Sequence, residues 1–220
     1  MKFGVVVFPG SNCDRDMFDS LQNDLGKEVK MLWHKDDHLT GFTSADCIVL
    51  PGGFSYGDYL RCGAIARFSP LMKAVIDFAS NGGKVLGVCN GFQILCESGL
   101  LPGVLLQNAQ QQFVCKNVFI KNDTEGSILK IPVAHGEGRY HASEEVLADL
   151  ESNNQVIFRY CDENGNTNDA ANPNGAIRHI AGIRNATNNV FGMMPHPERA
   201  TNSLLNNLDG KKVFEILGLN

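Results

Sequence analysis

The fold of this protein is decided at residues 84–93, where the sequence reads KVLGVCNGFQ. The apolar run from Lys84 to Val88 predicts a buried strand, and the stretch from Asn90 to Ser98 predicts the helix that follows it. The turn between them centres on Cys89, with a glycine two residues away on either side. A G-x-C-x-G sequence between a strand and a helix is the thiol form of the nucleophile elbow, in which glycines leave room for a sharp turn.

The rest of the chain extends this pattern in both directions. Short apolar runs alternate with amphipathic stretches through the first hundred residues, which is typical of repeated βα units around a mostly parallel sheet. The predicted strands there are 2–8, 28–33, 47–50 and 84–88, and the predicted helices are 14–25, 70–80 and 90–98. Later strands are predicted at 113–120, 127–133, 156–160, 180–184 and 190–193, helices at 143–150 and 203–217, and an exposed loop at 162–175. The first two later strands are expected to extend the sheet edge in antiparallel fashion, and the predicted fold class is α/β with a mostly parallel open sheet flanked by helices.

The composition excludes several classes of function. Of the 220 residues, 43% are hydrophobic, and 19 basic against 24 acidic residues give a formal net charge of −5. This charge, without a long run of one sign, argues against nucleic acid or an anionic membrane as partner. The apolar runs are shorter than the ~20 residues that a membrane span needs. Seven cysteines without a Cys-x-x-Cys pair favour neither a disulfide framework nor a cysteine-only zinc site, and they fit a reducing cytoplasm.

Cys89 is the candidate nucleophile. A nucleophilic thiol needs a helix N-terminus or an adjacent base, and the elbow supplies the first; the alternative for a free cysteine is a small buried hydrophobic residue. His196 is the candidate base, in the segment Pro195-His196-Pro197-Glu198. Because residues two apart on an extended segment share a side, Glu198 can accept the second imidazole N–H, as the third member of a triad does.

An oxyanion site is predicted at Pro51-Gly52-Gly53, where a predicted strand ends. Open α/β sheets build their sites at the carboxyl ends of strands, and glycine leaves backbone N–H groups unobstructed. The candidate donors are the N–H groups of Gly53 or Gly52 and of Asn90, the residue after the nucleophile. A plain strand-ending turn is the alternative for this glycine pair.

These motifs together resemble the class I (triad) glutamine amidotransferases: Pro51-Gly52-Gly53, Gly87-Val88-Cys89-Asn90-Gly91-Phe92-Gln93 and Pro195-His196-Pro197-Glu198. Longer motifs at 8–14 (FPGSNCD), 52–63 (GGFSYGDYLRCG) and 132–138 (PVAHGEG) resemble the glutaminase subunits of phosphoribosylformylglycinamidine synthases, enzymes of purine biosynthesis. The resemblance covers nearly the whole chain and implies one glutamine amidotransferase domain over residues 1–220, with the flavodoxin-like architecture of that class. Ala176 departs from the pattern, because serine is expected at that position.

The resemblance implies that the chain hydrolyses glutamine to glutamate and ammonia with Cys89, His196 and Glu198. The ammonia would pass to a synthase subunit that converts formylglycinamide ribonucleotide to formylglycinamidine ribonucleotide, with a small accessory subunit in the complex. ATP and Mg would serve the synthase, and no cofactor or metal is implied in this chain, which is expected in the cytoplasm. Independently of the family, the sequence has no Walker A motif and no G-x-G-x-x-G, so the ATP step is assigned to a partner.

The residues implied for the glutamine pocket are His135, Gly136 and Glu137, which would form one wall through their backbone. Gln93 lies one helical turn past Cys89, and two roles stay open for it: contact with the amino-acid end of the substrate, or hydrogen bonding to nearby backbone.

The segment from Phe54 to Arg67 is predicted to form the partner interface, and Arg61 is the residue in it that is predicted to contact the partner. Aromatic residues and arginines alternate there, and this mixture is common in interface anchors. An internally packed loop is the alternative.

Three further alternatives remain at this stage. A stand-alone cysteine hydrolase or peptidase would share the elbow and need no partner, and a non-catalytic or redox-sensing module would not need the retained His196 and Glu198. His34 and His38 could form a metal site, but a solvated turn after the second strand is favoured.

Overall fold

The computed structural model describes all 220 residues and confirms the predicted α/β fold. The strands are β1 Lys2–Val7, β2 Glu28–Trp33, β3 Cys47–Leu50, β4 Lys84–Val88, β5 Val104–Leu106, β6 Val114–Asn122, β7 Ile128–His135, β8 Arg139–His141, β9 Val156–Cys161, β10 Ile180–Arg184 and β11 Val190–Met193. The helices are α1 Asp14–Asp19, α2 Pro70–Ser80, α3 Asn90–Glu97, α4 Glu144–Ser152 and α5 Asp209–Ile216. Nine strands form one sheet in the order β2-β1-β3-β4-β11-β10-β9-β6-β7, and β5 pairs with β8 in a second, small sheet.

The large sheet has two halves that differ in strand direction. Neighbours from β2 to β11 pair in parallel, and neighbours from β11 to β7 pair antiparallel. We call these the parallel half (β2, β1, β3, β4, β11) and the antiparallel half (β10, β9, β6, β7). Because β9 and β7 run in the same direction as the parallel half, seven of the nine strands share one direction, so the predicted mostly parallel sheet is confirmed.

The inner strands of the parallel half, β1, β3, β4 and β11, are buried along most of their length, as parallel strands covered by helices require, whereas the edge strand β2 is mostly exposed or half-buried. Every residue of β3 is buried, and so are four of the five residues of β4. The connections are helical: α1 packs against β1 and β2, and α2 and α3 pack against β4. Pro70 opens α2, where its missing N–H removes no helical hydrogen bond.

The antiparallel half begins with a hairpin, as predicted for the region after Gly103. Strand β7 alternates buried and more exposed residues, which is typical of an antiparallel strand with one face on the core. Helix α4 begins after Ser143, whose hydroxyl accepts a hydrogen bond from the N–H of Val146. Helix α5 packs on β7.

Two predicted helices differ from the structure. The single helix predicted at 203–217 is wrong, because Ser203–Leu205 is a 3₁₀ turn and α5 starts only at Asp209. Asn206 between them is left-handed, with a φ of 54°, a conformation that asparagine tolerates better than most residues. The helix predicted at 14–25 is α-helical only as far as Asp19 and continues as a π-helical turn over Ser20–Asp24. The small β5–β8 sheet was not predicted.

Both halves share one hydrophobic core of 50 buried residues. Phe92 of α3 and Tyr140 of β8 stack with ring centroids 5.9 Å apart, which joins the elbow helix to the small sheet. No helix has both the length and the apolar character that crossing a membrane requires.

Candidate active site

Cys89 lies in the turn between β4 and α3, where the elbow motif predicts it. Its φ of 50° and ψ of −106° are unusual for a residue with a side chain, and strained backbone of this kind clusters at functional sites. The turn is fixed because the N–H of Cys89 donates to the Met193 carbonyl at 2.8 Å. A Cβ on Gly91 would overlap the backbone carbonyl of Leu50, so only glycine lets α3 approach β3 this closely.

The pairing of β4 with β11 brings His196 towards the nucleophile. Val88 lies beside Met193 in the parallel register. The strands β4 and β11 therefore end at the same edge of the sheet, shortly before Cys89 and His196. The N–H of His196 donates to the Pro132 carbonyl of β7 at 2.8 Å. Residues far apart in sequence therefore meet because β4 and β11 end side by side and β7 passes next to His196.

His196 and Glu198 form a buried pair. Nδ1 of His196 lies 2.6 Å from Oε1 of Glu198, and the two side chains are almost fully buried. The second polar atom of each side chain, Nε2 and Oε2, is buried without a hydrogen-bond partner within the protein. Both the Cys89 and the Cys13 thiols lie close enough to interact with the imidazole.

Burial and charge act in opposite directions on the pKa of His196. Burial lowers it, but the negative charge of Glu198, followed by that of Cys89, outweighs burial, and the pKa is raised well above the ordinary 6.5. A raised pKa means that the imidazole readily keeps a proton taken from the Cys89 thiol. The arrangement can therefore form the nucleophile and later return the proton to a leaving group.

Gly52 and Gly53, the predicted oxyanion glycines, follow β3 directly and lie against the site. A Cβ on Gly52 would lie 2.7 Å from Cε1 of His196. Gly53 has a φ of +133°, and a Cβ there would lie 2.5 Å from the backbone N of Asn12, so both positions need glycine. The N–H groups of Gly52, Gly53 and Asn90 donate no hydrogen bond within the protein, which leaves them available to a substrate oxyanion.

Gln93 connects the elbow helix to the segment after β7. Its Oε1 accepts from Nδ2 of Asn90 at 2.9 Å, and its Nε2 donates to the Glu137 carbonyl at 2.6 Å. Oδ1 of Asn90 in turn accepts from the N–H of Ser55 at 3.1 Å. The hydrogen bond to the Glu137 backbone fits one of the two roles left open for Gln93, and contact with the amino-acid end of the substrate stays a prediction.

His135, Gly136 and Glu137 lie beside the nucleophile, since Sγ of Cys89 is 3.7 Å from the Ala134 carbonyl. The N–H groups of Gly136 and Glu137 donate no hydrogen bond within the protein. These two backbone donors face no internal acceptor, as a wall that binds substrate through its backbone would require.

The side chain of His135 is held by two asparagines that the sequence did not reveal as site residues. Its Nδ1 lies 3.1 Å from Oδ1 of Asn108, and its Nε2 lies 3.5 Å from Nδ2 of Asn174. Burial, together with the nearby His196, lowers the pKa of His135 to about 4, so this ring is neutral near pH 7. Asn174 is fully buried, although the loop that contains it was predicted to be exposed.

Two more residues near the site were missed. Cys13 accepts a hydrogen bond from Nη2 of Arg199 at 3.2 Å, and its motif was noted in the sequence without a role for the thiol. Asp58 accepts from Nδ2 of Asn90 at 3.3 Å. Burial, and then the charge of Glu137, raise the pKa of Asp58 against the hydrogen bond with Cys62. No local pattern marks either contact.

The segment predicted as an interface is exposed at its tip and anchored at its base. Tyr59, Leu60 and Phe68 are 72%, 92% and 75% exposed. Arg61 is largely exposed as well, but it is not free, because its guanidinium forms two close contacts with the carboxylate of Glu97.

The prediction of a solvated turn at His34 and His38 is wrong for His34. This imidazole is buried, with Nδ1 2.5 Å from the hydroxyl of Tyr56. His38 is exposed and bonds to Asp37, so the two histidines have separate partners.

Ala176, the departure from the family pattern, is buried, and its N–H donates to the side-chain oxygens of Asn174 and Asn172. The loop is therefore closed without a hydroxyl at position 176.

Comparison with known proteins gives concordant matches over nearly the full length. Residues 1–215 match the family model described as the CobB/CobQ-like glutamine amidotransferase domain. The chain is 55% identical to the phosphoribosylformylglycinamidine synthase subunit PurQ of Moorella thermoacetica, over 97% of this chain and 94% of the relative. Among solved structures it is similar to PurLQS from Thermotoga maritima, with a TM-score of 0.84 and 41% identity over 98% of this chain and 96% of that one. A glutamine amidotransferase from Thermotoga maritima shares the fold, with a TM-score of 0.59 at 13% identity over 98% of this chain and 81% of that one.

Proposed function

The chain belongs to the CobB/CobQ-like glutamine amidotransferase domain family, and from this premise we propose that it is the glutaminase subunit of a phosphoribosylformylglycinamidine synthase. The observation that carries the proposal is the 55% identity to a subunit of that name, over 97% of this chain. A free-standing cysteine hydrolase or peptidase is not favoured, because the match to a synthase subunit runs along nearly the whole chain.

The proposed chemistry uses the groups at the edge of the parallel half. The Cys89 thiol gives its proton to His196 and the thiolate attacks the side-chain amide carbon of glutamine. The free N–H groups of Gly52 or Gly53 and of Asn90 stabilise the resulting oxyanion. His196 then donates the proton to the departing ammonia, which leaves a glutamyl thioester on Cys89.

The second half of the reaction hydrolyses that thioester. His196 takes a proton from water, the hydroxide attacks the acyl carbon, and the proton returns to the Cys89 sulfur as glutamate is released. Glu198 keeps the imidazole in the tautomer that has a free Nε2, because its Oε1 holds the Nδ1 side. The backbone of Gly136 and Glu137 is proposed to bind the amino-acid end of glutamine. Gln93 holds this backbone in place through its hydrogen bond to the Glu137 carbonyl.

Ammonia made here has to be used elsewhere, and we assign its use to a synthase subunit that binds ATP and Mg. The solved relative named PurLQS carries PurQ in an assembly of several subunits. A complex with a synthase subunit and a small accessory subunit is therefore proposed for this chain, which needs no cofactor of its own. We place this complex in the cytoplasm.

The partner surface is proposed at the segment from Phe54 to Arg67, with Arg61 near its centre. This segment follows the oxyanion glycines directly and carries several exposed apolar side chains. Docking of the synthase on it would move or fix the N–H of Gly53, which offers a physical route by which the partner controls the glutaminase.

The decisive test is Cys89→Ala in the reconstituted complex. Glutamine-dependent synthesis should be lost, while synthesis from added ammonium salt should continue, because only the nucleophile for amide attack is removed. Cys115→Ala, which removes an exposed cysteine, is the matched control and should use both nitrogen sources. Equal loss from glutamine and ammonia, or unchanged use of glutamine, would refute the proposal.

A further inference from the structure

Three unlike side chains cluster beside the elbow, and one of them has no place in the proposed reaction. A sulfur, an imidazole nitrogen and a carboxylate oxygen from Cys13, His196 and Glu198 lie within 4.8 Å of one another. All three residues are buried, with exposed fractions of 6%, 1% and 3%. Cys13 reaches this position from the loop after β1, whereas the other two follow β11.

Two atoms of this cluster are buried and unpaired. Nε2 of His196 and Oε2 of Glu198 have no hydrogen-bond partner within the protein, and such atoms are rare enough in folded proteins to need an explanation. The proposed reaction accounts for Nε2, which exchanges protons with Cys89. It does not account for Oε2, a negatively charged oxygen that faces no donor.

We propose that Cys13, His196 and Glu198 form an inhibitory binding site for Zn²⁺. Thiolate, imidazole and carboxylate are the ligands that zinc prefers, and two negative ligands balance the charge of the ion. Zinc–ligand bonds of ~2.0–2.3 Å place the ligand atoms of a tetrahedral site about 3.3–3.8 Å apart. The widest separation in the cluster, up to 4.8 Å, therefore has to shorten by about 1 Å, and the 2.6 Å contact between Nδ1 of His196 and Oε1 of Glu198 has to open by a similar distance. Water completes the fourth position.

The neighbouring charges both favour and oppose the binding of zinc at this site. Arg199 donates to the Cys13 sulfur, which favours the thiolate that zinc needs but opposes a nearby cation. Asp16 pairs with the same guanidinium at 2.9 Å and offsets part of that positive charge.

Zinc at this position would stop the glutaminase. Coordination releases the Cys13 thiol proton to solvent, and zinc on Nδ1 of His196 moves the proton held between His196 and Glu198 to Nε2 of the same ring. An imidazole whose lone pair or tautomer is fixed by a metal cannot accept the proton of Cys89. Because zinc competes with these protons, its binding weakens as the pH falls.

The test measures zinc binding to the full chain without substrate. Chelator-treated protein is titrated with Zn²⁺ in competition with a chromophoric zinc indicator, for the wild type, Cys13→Ala, Cys89→Ala and Cys115→Ala. One ion per chain is expected for the wild type, Cys89→Ala and Cys115→Ala, with affinity at least about tenfold weaker for Cys13→Ala. In the complex, the zinc concentration that halves glutaminase activity should rise by the same factor in Cys13→Ala and stay unchanged in Cys115→Ala.

Two results would overturn the site. One is no zinc binding by the wild type; the other is loss of binding in Cys89→Ala with full binding in Cys13→Ala, which would place the ion on the nucleophile. Cys13→Ser serves as a second variant if Cys13→Ala lowers the melting temperature, because serine keeps the volume but is a poor zinc ligand. The binding measurement needs neither glutamine nor synthase, so its failure is distinct from a failure of the proposed function.

Discussion

Cys89, His196 and the glycine pair follow strands of the parallel half, whereas His135 and Asn174 belong to segments of the antiparallel half. The first group is held by strand register and close backbone packing: Val88 lies beside Met193, and Gly52 packs on the His196 ring. The second group is held by side-chain hydrogen bonds among buried asparagines and a histidine. The parallel half therefore carries the groups that are proposed to react, and the antiparallel half carries those that are proposed to form the wall around them. This division predicts large catalytic effects from the first group and effects on stability from the second.

The largest expected effect is that of His196→Ala, in the parallel half. Glutaminase activity should fall by about 10⁴- to 10⁶-fold, nearly as far as in Cys89→Ala, because nucleophile and base act as a unit. Glu198→Gln should keep more activity than either, since this residue orients the imidazole and transfers no proton to substrate. Steady-state kinetics of ammonia release by the three variants give the order. A Glu198→Gln variant with the lowest activity of the three would show that these roles are misassigned.

Gly53→Ala should have the next largest effect. A Cβ there would lie 2.5 Å from the backbone N of Asn12, so the turn must shift and displace the oxyanion donor. The loss in kcat is expected to be about 10²- to 10³-fold, with a smaller change in KM. Gly126→Ala is the control in the antiparallel half: it too has a positive φ, but a Cβ there meets nothing within 4 Å. Equal losses from the two substitutions would mean that backbone strain alone, rather than a donor, matters at position 53.

Part of the pH dependence of stability should come from His135, in the antiparallel half. His135 is buried and neutral, with its pKa lowered from 6.5 to about 4, so between these values the unfolded chain binds more protons than the folded chain. The free energy of unfolding should therefore fall as the pH falls through this window, by up to about 3 kcal/mol at 1.36 kcal/mol per pKa unit.

Denaturant unfolding between pH 7 and pH 4 checks this slope. His135→Gln should flatten it, although the variant is less stable at pH 7, and His141→Gln, at an exposed position of β8, should leave it unchanged. A slope that persists in His135→Gln would assign the acid sensitivity to another group.

The smallest expected effect is that of Arg61→Ala. Stimulation of glutaminase by the synthase partner should fall severalfold, while the free energy of unfolding changes by about 1 kcal/mol or less, because the lost ion pair with Glu97 is largely exposed on the arginine side. Lys212→Ala on α5 also removes an exposed positive charge and should leave stimulation unchanged. Full stimulation in Arg61→Ala would exclude a role for this side chain at the interface.

Local sequence determined the elements of the parallel half more accurately than the surroundings of the site. Buried runs such as Cys47–Leu50 and Lys84–Val88 are strands at the predicted bounds, because a short apolar run that ends at turn residues is typical of a buried strand. The predicted final helix failed at Asn206, where one left-handed residue ends the 3₁₀ turn. The three-residue strands β5 and β8 carry too few residues for a periodic signal, and only their pairing makes them strands.

The sequence by itself determined which residues have the right chemistry: an elbow cysteine, a histidine with a carboxylate two residues on, and glycines after a strand. Each of these patterns is local, so it can be recognised without the fold. Only the tertiary structure decided which distant groups meet them. Cys13 lies beside His196, and Asn108 and Asn174 hold His135, because strand order and register bring loops together that are remote in the chain. Contacts of this kind depend on the packing of the whole sheet, and no single segment encodes them.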